Sequence, residues 1–300
     1  MSEYHPVRIV AFKLRDKKHL GIIDQDEVID LNEVDDRLPR DLAGVLSANG
    51  GDLTDLPRIA ARASGNARYA LSEIEFGLPV ERSSKVLCLG LNYMKHVKEG
   101  RYADQTPDHP TVFLRCLSSL APHNAQLLRP AASETFDYEA ELGLVIGRRC
   151  KNLTPENALD VVAGYTCANE GTIREFQRHT TQWDMGKNFD RTGAIGPWFV
   201  SADELPRGAD GLRIECRLNG ATMQSDNTSN MLFPVREMLV YISQGITLEP
   251  GDIILTGTPS GVGHARKPPV WMRDGDVCEV NIEAIGVLRN TVVDEHAKRH

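Results

Sequence analysis

The chain has no C-X-X-C pair, no long apolar run and no surplus of basic residues. Each absence excludes a class of protein. The six cysteines (Cys88, Cys116, Cys150, Cys167, Cys216, Cys278) are widely scattered. That spacing argues against a disulfide framework or a cysteine-built zinc site, and predicts reduced, mostly buried thiols. No apolar stretch approaches the roughly 20 residues of a membrane span. Lys and Arg total 34 against 42 Asp and Glu, a net charge of −8. General nucleic-acid binding needs a basic footprint that this balance does not supply. An anionic small molecule remains compatible, because one local cation can reverse the field of a site. The opening residues, from Met1 to Arg8, lack the basic and then apolar pattern of a secretory signal, so a cytoplasmic location is expected.

What is present is an ordinary globular composition over 300 residues, 41% hydrophobic and 25% charged. Residues 7–12 and 19–23 flank a charged turn and read as a hairpin. Residues 41–46 and 57–63 suit short helices. The expectation is a small N-terminal β-rich domain over residues 1–78, with a polar, proline-bearing link near residues 78–84. Beyond it strand signals dominate, at residues 85–89, 136–146, 164–170, 212–218, 253–255 and 276–285. Thr154-Pro155-Glu156 is expected to open a helix, with Thr154 as its cap. Residues 235–244 form the clearest amphipathic helix, with Val235, Met238, Leu239 and Ile242 on one face. The pattern is mainly β with short helices (α+β), without the regular alternation of a doubly wound sheet.

The sharpest chemical signal is Glu139-Ala140-Glu141 inside an apolar strand. Strand alternation turns both carboxylates to one face, with Cα atoms roughly 6.5–7 Å apart. Two like charges beside an apolar run resist desolvation, and a hard divalent cation resolves the conflict. A solvated strand face satisfies the same spacing. His96 and Glu99 are three residues apart in a segment that suits a helix, which puts them on one side. A carboxylate on one imidazole nitrogen leaves the other free to take a proton from water; by spacing alone an ordinary surface ion pair is the commoner outcome. Glu170 ends a strand and offers a third carboxylate. Lys187, in a mixed aromatic and polar loop, suits a substrate carboxylate or an oxyanion. The turn from Gly257 to Gly263 lacks the Gly-Lys-Ser/Thr end of a P-loop. Its backbone donors and the Thr258 hydroxyl still suit a carboxylate.

In this order the elements resemble the fumarylacetoacetate hydrolase family over residues 84–290. The resemblance rests on Asn92-Tyr93 with His96 and Glu99; Glu139-X-Glu141; Gly164-Tyr165-Thr166 leading to Glu170; Lys187 ahead of Gly196-Pro197-Trp198; and the turn from Gly257 to Gly263. It implies a mixed β-sandwich roll over residues 84–295, assembled as a homodimer, with the N-terminal lobe of longer members. It implies Glu139, Glu141 and Glu170 as metal ligands for Mg²⁺ or Mn²⁺, with Ca²⁺ as an alternative. His96 and Glu99 match the water-activating dyad, and Lys187 and Thr258 the substrate contacts, with Tyr165 and Gln182 at the border. The implied activity is hydrolysis of a C–C bond in a 2,4-dioxo acid of the aromatic-catabolism type. The alternatives are decarboxylation of an oxaloacetate-like acid or isomerisation of an unsaturated 2-oxo diacid, and, more remotely, metal or ligand binding without catalysis. The third ligand of this family is usually aspartate. Glu170 is one methylene longer, which leaves the choice of metal open. Residues 101–109, acidic and polar, follow the dyad and suggest a lid.

Overall fold

Arg15 (φ 50°) and Asp16 (φ 64°), both with left-handed backbone, close the first hairpin. Two such residues make a turn whose twist matches that of the flanking strands. In the computed structural model, which describes residues 7–100, 103 and 106–295, the hairpin joins Arg8–Leu14 to Lys17–Asp24, paired from Ile9↔Ile22 to Leu14↔Lys17. The helices expected nearby form as Leu42–Ala48 and Asp55–Ala60. Asp41 caps the first by accepting from Gly44 N–H.

The hairpin is the entry to a 12-stranded mixed sheet. Arg8–Leu14 pairs antiparallel with Gly193–Ser201, so the N-terminal strands continue the main sheet. From there the order runs through Val162–Asn169, Ala140–Ile146, Ile253–Leu255 and Val86–Gly90 to Thr111–Arg115. Most neighbours are antiparallel, but Ile253–Leu255 runs parallel to Val86–Gly90. A 5-stranded sheet built on Arg213–Leu218, Val277–Ile282 and Gly286–Asp294 lies beside it. The main core draws Leu142, Leu144 and Tyr165 from the large sheet and Ile214, Val280 and Leu288 from the small one. The architecture is thus mainly β, with mixed sheets and few short helices. Among the described residues no helix is long and apolar enough to cross a membrane.

Val235–Gly245 is the longest helix, and it buries Val235, Met238, Leu239 and Ile242 as its periodicity requires. Burying each of these side chains contributes about 1.5–3 kcal/mol.

Two local expectations need correction. No helix opens at Thr154. Asn157 and Ala158 N–H both donate to Thr154 C=O, at 3.2 and 3.0 Å, and Asn157 Oδ1 accepts from Thr154 N–H at 2.8 Å, so one closed turn starts there. It does not propagate as an α-helix: Asn157 (φ −110°, ψ −5°) lies well off ideal α-helical angles, and only the 3₁₀ turn Ala158–Val161 follows. Residues 136–146 are also not one strand. Phe136–Asp137 leaves the large sheet to pair with Thr172–Ile173, and regular pairing resumes at Ala140–Ile146. In the break, Asn169 Oδ1 accepts from Glu139 N–H at 3.0 Å and Gln224 Oε1 from Ala140 N–H at 2.9 Å. Two buried amide side chains therefore replace ladder bonds where the first glutamate sits.

Candidate active site

The break brings three acids together. Glu139 lies in it, Glu141 on the resumed strand, and Glu170 just beyond the end of Val162–Asn169. Glu170 N–H donates to Glu139 C=O at 2.8 Å, which locks the two segments. All three acids are buried (3%, 1% and 1% exposed), and each offers an oxygen within 4.8 Å of the others.

Two cations offset part of this charge. Lys187 Nζ donates to Glu139 Oε2 at 2.6 Å and to Glu170 Oε2 at 2.8 Å. Arg174 Nη2 lies 2.6 Å from Glu139 Oε1. Burial alone would raise the proton affinity of Glu139, but Arg174 and Lys187 outweigh it and hold the carboxyl well below its usual range. Glu141 has no such partner. Burial, Glu170 and Glu139 push its proton affinity well above the ordinary carboxylate value. Its Oε2 accepts from Gly257 N–H at 2.8 Å. Burial disfavours the charge on Lys187, yet Glu139 and Glu170 reverse the balance and raise its pKa.

The residues fit a hard divalent cation on two observations. Glu170 Oε1 is buried without a hydrogen-bond partner. Glu141 is an acid in a dry place with like charges for neighbours. An all-carboxylate donor set is what Mg²⁺ and Mn²⁺ prefer.

His96, on the helix Met94–Glu99, lines the same cavity. Its Nδ1 is 2.8 Å from Glu99 Oε1. Glu99 is itself fixed, because its Oε2 accepts from Gly261 N–H at 2.8 Å. A carboxylate can only accept, so Nδ1 carries a proton toward Glu99 and the pair fixes the ring.

The glycine turn cradles acids of the protein itself: Gly257, Gly261 and Gly263 donate to Glu141, Glu99 and Asp137. Gly261 has φ 105°, and a Cβ there would lie 2.3 Å from the Met223 carbonyl oxygen. No other residue fits without backbone movement.

The remaining expected residues divide. Thr258 lines the cavity, but its hydroxyl donates to Ala140 C=O and accepts from Gln224 Nε2. Gln182 is exposed and lines an adjoining groove with Thr106, Pro107 and Trp183. Tyr165 is not brought to the site: it lines a separate cavity with Leu159, Leu205 and Arg207. The reason is strand rise, since five residues before Glu170 place it roughly 16 Å away at about 3.3 Å per residue. The expected lid falls partly outside the described residues, which omit 101, 102, 104 and 105.

Sequence reasoning assigned no role to Asp137, Arg174, His264 or Arg115. Asp137 continues the period-2 pattern of Glu139 and Glu141 one step back, a visible signal. It is buried and accepts from Arg174 Nε at 2.8 Å. Arg115 donates to Gly171 C=O at 3.1 Å, and its Nη1 lies 4.0 Å from Glu170 Oε1. No local pattern marks its link to the site, because Gly171 and Glu170 are 55 or more residues away in sequence.

The chain is similar to known proteins along most of its length. The family model described as "Fumarylacetoacetate (FAA) hydrolase C-terminal" matches residues 85–293. The chain is 39% identical over 281 residues to the Bos taurus protein "Oxaloacetate tautomerase FAHD2A, mitochondrial", covering 92% of this chain and 87% of that one. It is 37% identical over 289 residues to "2,4-didehydro-3-deoxy-L-rhamnonate hydrolase" of Sphingomonas sp. (strain SKA58), covering 95% and 96%. Among solved structures it is similar to the fumarylacetoacetate hydrolase of psychrophilic Exiguobacterium antarcticum, with a TM-score of 0.83, 33% identity, and 96% and 100% coverage. With the match spanning most of the chain and the carboxylate cluster assembled inside it, the chain belongs to the fumarylacetoacetate hydrolase family.

Proposed function

We propose that the protein hydrolyses a C–C bond in a 2,4-dioxo acid, with Glu139, Glu141 and Glu170 holding Mg²⁺ or Mn²⁺. The carrying observation is the His96–Glu99 pair, 2.8 Å apart and lining one cavity with the three carboxylates. When bound, the cation supplies Lewis acidity toward the 2-oxo carboxylate end. The protein's own residues do the rest. His96 Nε2 takes a proton from water while Glu99 holds the ring. The water oxygen bonds to the C4 carbonyl carbon. The C3–C4 bond then breaks, and its electron pair passes into the enolate of the 2-oxo acid. Lys187, charged and buried, stabilises that oxyanion. His96 returns its proton to C3.

A second reading, keto–enol tautomerisation of oxaloacetate, is favoured by the 39% identical relative of that activity. Water decides between them. Hydrolysis of an acylpyruvate with Mg²⁺ or Mn²⁺ in H₂¹⁸O places one ¹⁸O in the released carboxylic acid. Tautomerisation of oxaloacetate changes its ultraviolet absorbance with no new product mass. Labelled acid supports the hydrolase reading; enol–keto exchange with no cleaved product refutes it in favour of the tautomerase.

The reading includes a homodimer, supported by the exposed apolar side chains Leu114 (51%) and Met185 (64%) beside one surface groove. Light scattering at twice the chain mass is the expected result.

A further inference from the structure

The N-terminal lobe holds a second gathering of ligand atoms, and none of its residues lines the cavity of the three glutamates. His19 lies on the strand Lys17–Asp24, Asp30 ends the strand Glu27–Asp30, and Glu33 sits in the first turn of the short helix Leu31–Val34. A ring nitrogen of His19 and a carboxylate oxygen from each acid lie within 4.8 Å of one another.

Local structure sets this meeting. Asp30 caps the short helix, where its Oδ1 accepts from Asn32 N–H at 2.9 Å and from Glu33 N–H at 3.2 Å. The cap occupies Oδ1 and leaves Oδ2 facing His19. Leu20 N–H donates to Asn32 Oδ1 at 2.8 Å, which clamps the strand to the helix. Phe12 stacks on the imidazole, with ring centroids 5.4 Å apart, and fixes its plane.

His19 and Asp30 are buried (5% and 0% exposed), whereas Glu33 is exposed and opens the cluster to solvent. His19 Nδ1 and Asp30 Oδ2 lie 2.6 Å apart. Yet neither atom makes a hydrogen bond, because the pair is off the line that an N–H···O bond requires. Two buried polar atoms thus face each other without satisfying each other, an arrangement that native proteins rarely leave without an unseen partner. Among the described residues neither acid pairs with a lysine or an arginine. Glu139, held by Arg174 and Lys187, is the contrast.

A divalent cation satisfies both atoms at once. It takes the Nδ1 lone pair and displaces any proton there, wherever the ring proton sits beforehand. One imidazole nitrogen and two carboxylate oxygens, with room for water, suit zinc. Tetrahedral ligands at about 2.0–2.2 Å stand roughly 3.3–3.6 Å from one another, so Nδ1 and Oδ2 need to part by only about 0.7–1 Å. Mn²⁺ prefers oxygen and binds nitrogen-bearing sites least tightly of the series, so it marks the glutamate cavity instead.

We propose that His19 Nδ1, Asp30 Oδ2 and the Glu33 carboxylate form a zinc site that pins the first hairpin to the helix following it. The site stands apart from the catalytic reading and needs none of its residues.

Zinc binding to the full chain is measured by calorimetry in wild type, Glu33→Gln and His19→Gln. Wild-type crystals soaked in zinc chloride are measured at the zinc absorption edge. An anomalous peak is expected about 2.0–2.2 Å from His19 Nδ1, Asp30 Oδ2 and an oxygen of Glu33. Glu33→Gln, at an exposed position, should fold as wild type does and leave Mn²⁺ affinity unchanged. It should weaken one zinc-binding step by at least about 10–100-fold, the scale on which even the supporting groups of a metal site matter. His19→Gln should lose that step altogether. No peak beside His19 overturns the proposal and leaves a plain His–Asp contact. A peak with the same zinc isotherm in wild type and Glu33→Gln overturns it too, as binding at crystal concentration only. Zinc held by Glu139, Glu141 and Glu170 is a separate peak and a separate step that survives His19→Gln, so either site can fail without the other.

Discussion

In the proposed mechanism, His96 serves as a base only while Glu99 occupies its Nδ1. Replacing His96 by Ala or Gln should lower kcat for acylpyruvate cleavage by about 10²–10⁴-fold, the usual worth of a positioned base. Metal affinity measured by calorimetry should change little, because His96 is not among the gathered carboxylates. Full activity in either variant rules out the water-activating role. Glu141 makes the opposite case. In metal-free buffer it is a buried acid among like charges, so Glu141→Gln, which keeps an acceptor for Gly257 N–H, should melt no lower than wild type. With Mn²⁺ at about 100 times its Kd, wild type should gain about 2.7 kcal/mol and the variant far less. Equal Mn²⁺-induced shifts in Tm in the two proteins contradict the ligand assignment. At this scale much was legible. Glu139 and Glu141 stand out by residue type and spacing, while His96, Glu99, Glu170 and Lys187 gain their place from the ordered resemblance to the family, and all six come together in space. Tyr165 shows the limit, since nothing local says how far along a strand the site extends. Arg115 shows another, because its site contacts are made only by the finished fold.

Between residues and fold stand the short segments that aim the acids. Alternation alone predicted one uninterrupted strand through Glu139 and Glu141. The actual path is broken, and the side chains of Asn169 and Gln224 hold the break open. Gln224 also donates to Thr258 Oγ1 and Pro259 C=O, both at buried positions. Gln224→Leu should cost about 1–3 kcal/mol in urea unfolding, the penalty of leaving buried polar groups unpaired. It should also weaken Mn²⁺ binding at a distance, through the misplacement of Glu139. A variant with wild-type stability and wild-type Mn²⁺ affinity would show that the break does not depend on that amide. Such a break is hard to read from sequence, because the residues that cause it lie 30 and 84 positions away. The amphipathic helix Val235–Gly245, by contrast, depends on a pattern within itself and was legible almost to its ends.

At the scale of the molecule, the N-terminal strands and the main sheet are one surface, joined at Ile9↔Phe199. His123 adds a second tie. Its ring meets Phe76 edge-on at 4.7 Å, and its Nδ1 accepts from Arg289 N–H at 3.1 Å. Burial, with Arg289 adding to it, lowers the His123 pKa from 6.5 to about 4. The unfolded chain therefore binds this proton before the folded one does. The contribution to stability is complete above the unfolded value and is lost as pH falls from about 6.5 towards about 4. The loss is on the order of 1–3 kcal/mol. His123→Asn keeps an acceptor for Arg289 N–H without titrating in this range. Its urea midpoint should fall less than that of wild type between about pH 7 and about pH 4.5, a range that spans most of that window. Parallel pH dependences would remove His123 from the account. The continuous sheet itself was only partly foreseen. The hairpin is written in alternating residues, but its pairing with Gly193–Ser201 is a contact across most of the chain.

The central claim is that the Glu139–Glu141 pair and Glu170, from another strand end, share one divalent ion. Diffraction from a Mn²⁺-soaked crystal at the manganese absorption edge tests it most directly. The account predicts one anomalous peak per chain, bonded at about 2.0–2.6 Å to an oxygen from each of Glu139, Glu141 and Glu170. A map at saturating Mn²⁺ with no peak there, and with Lys187 still bridging Glu139 and Glu170, contradicts it.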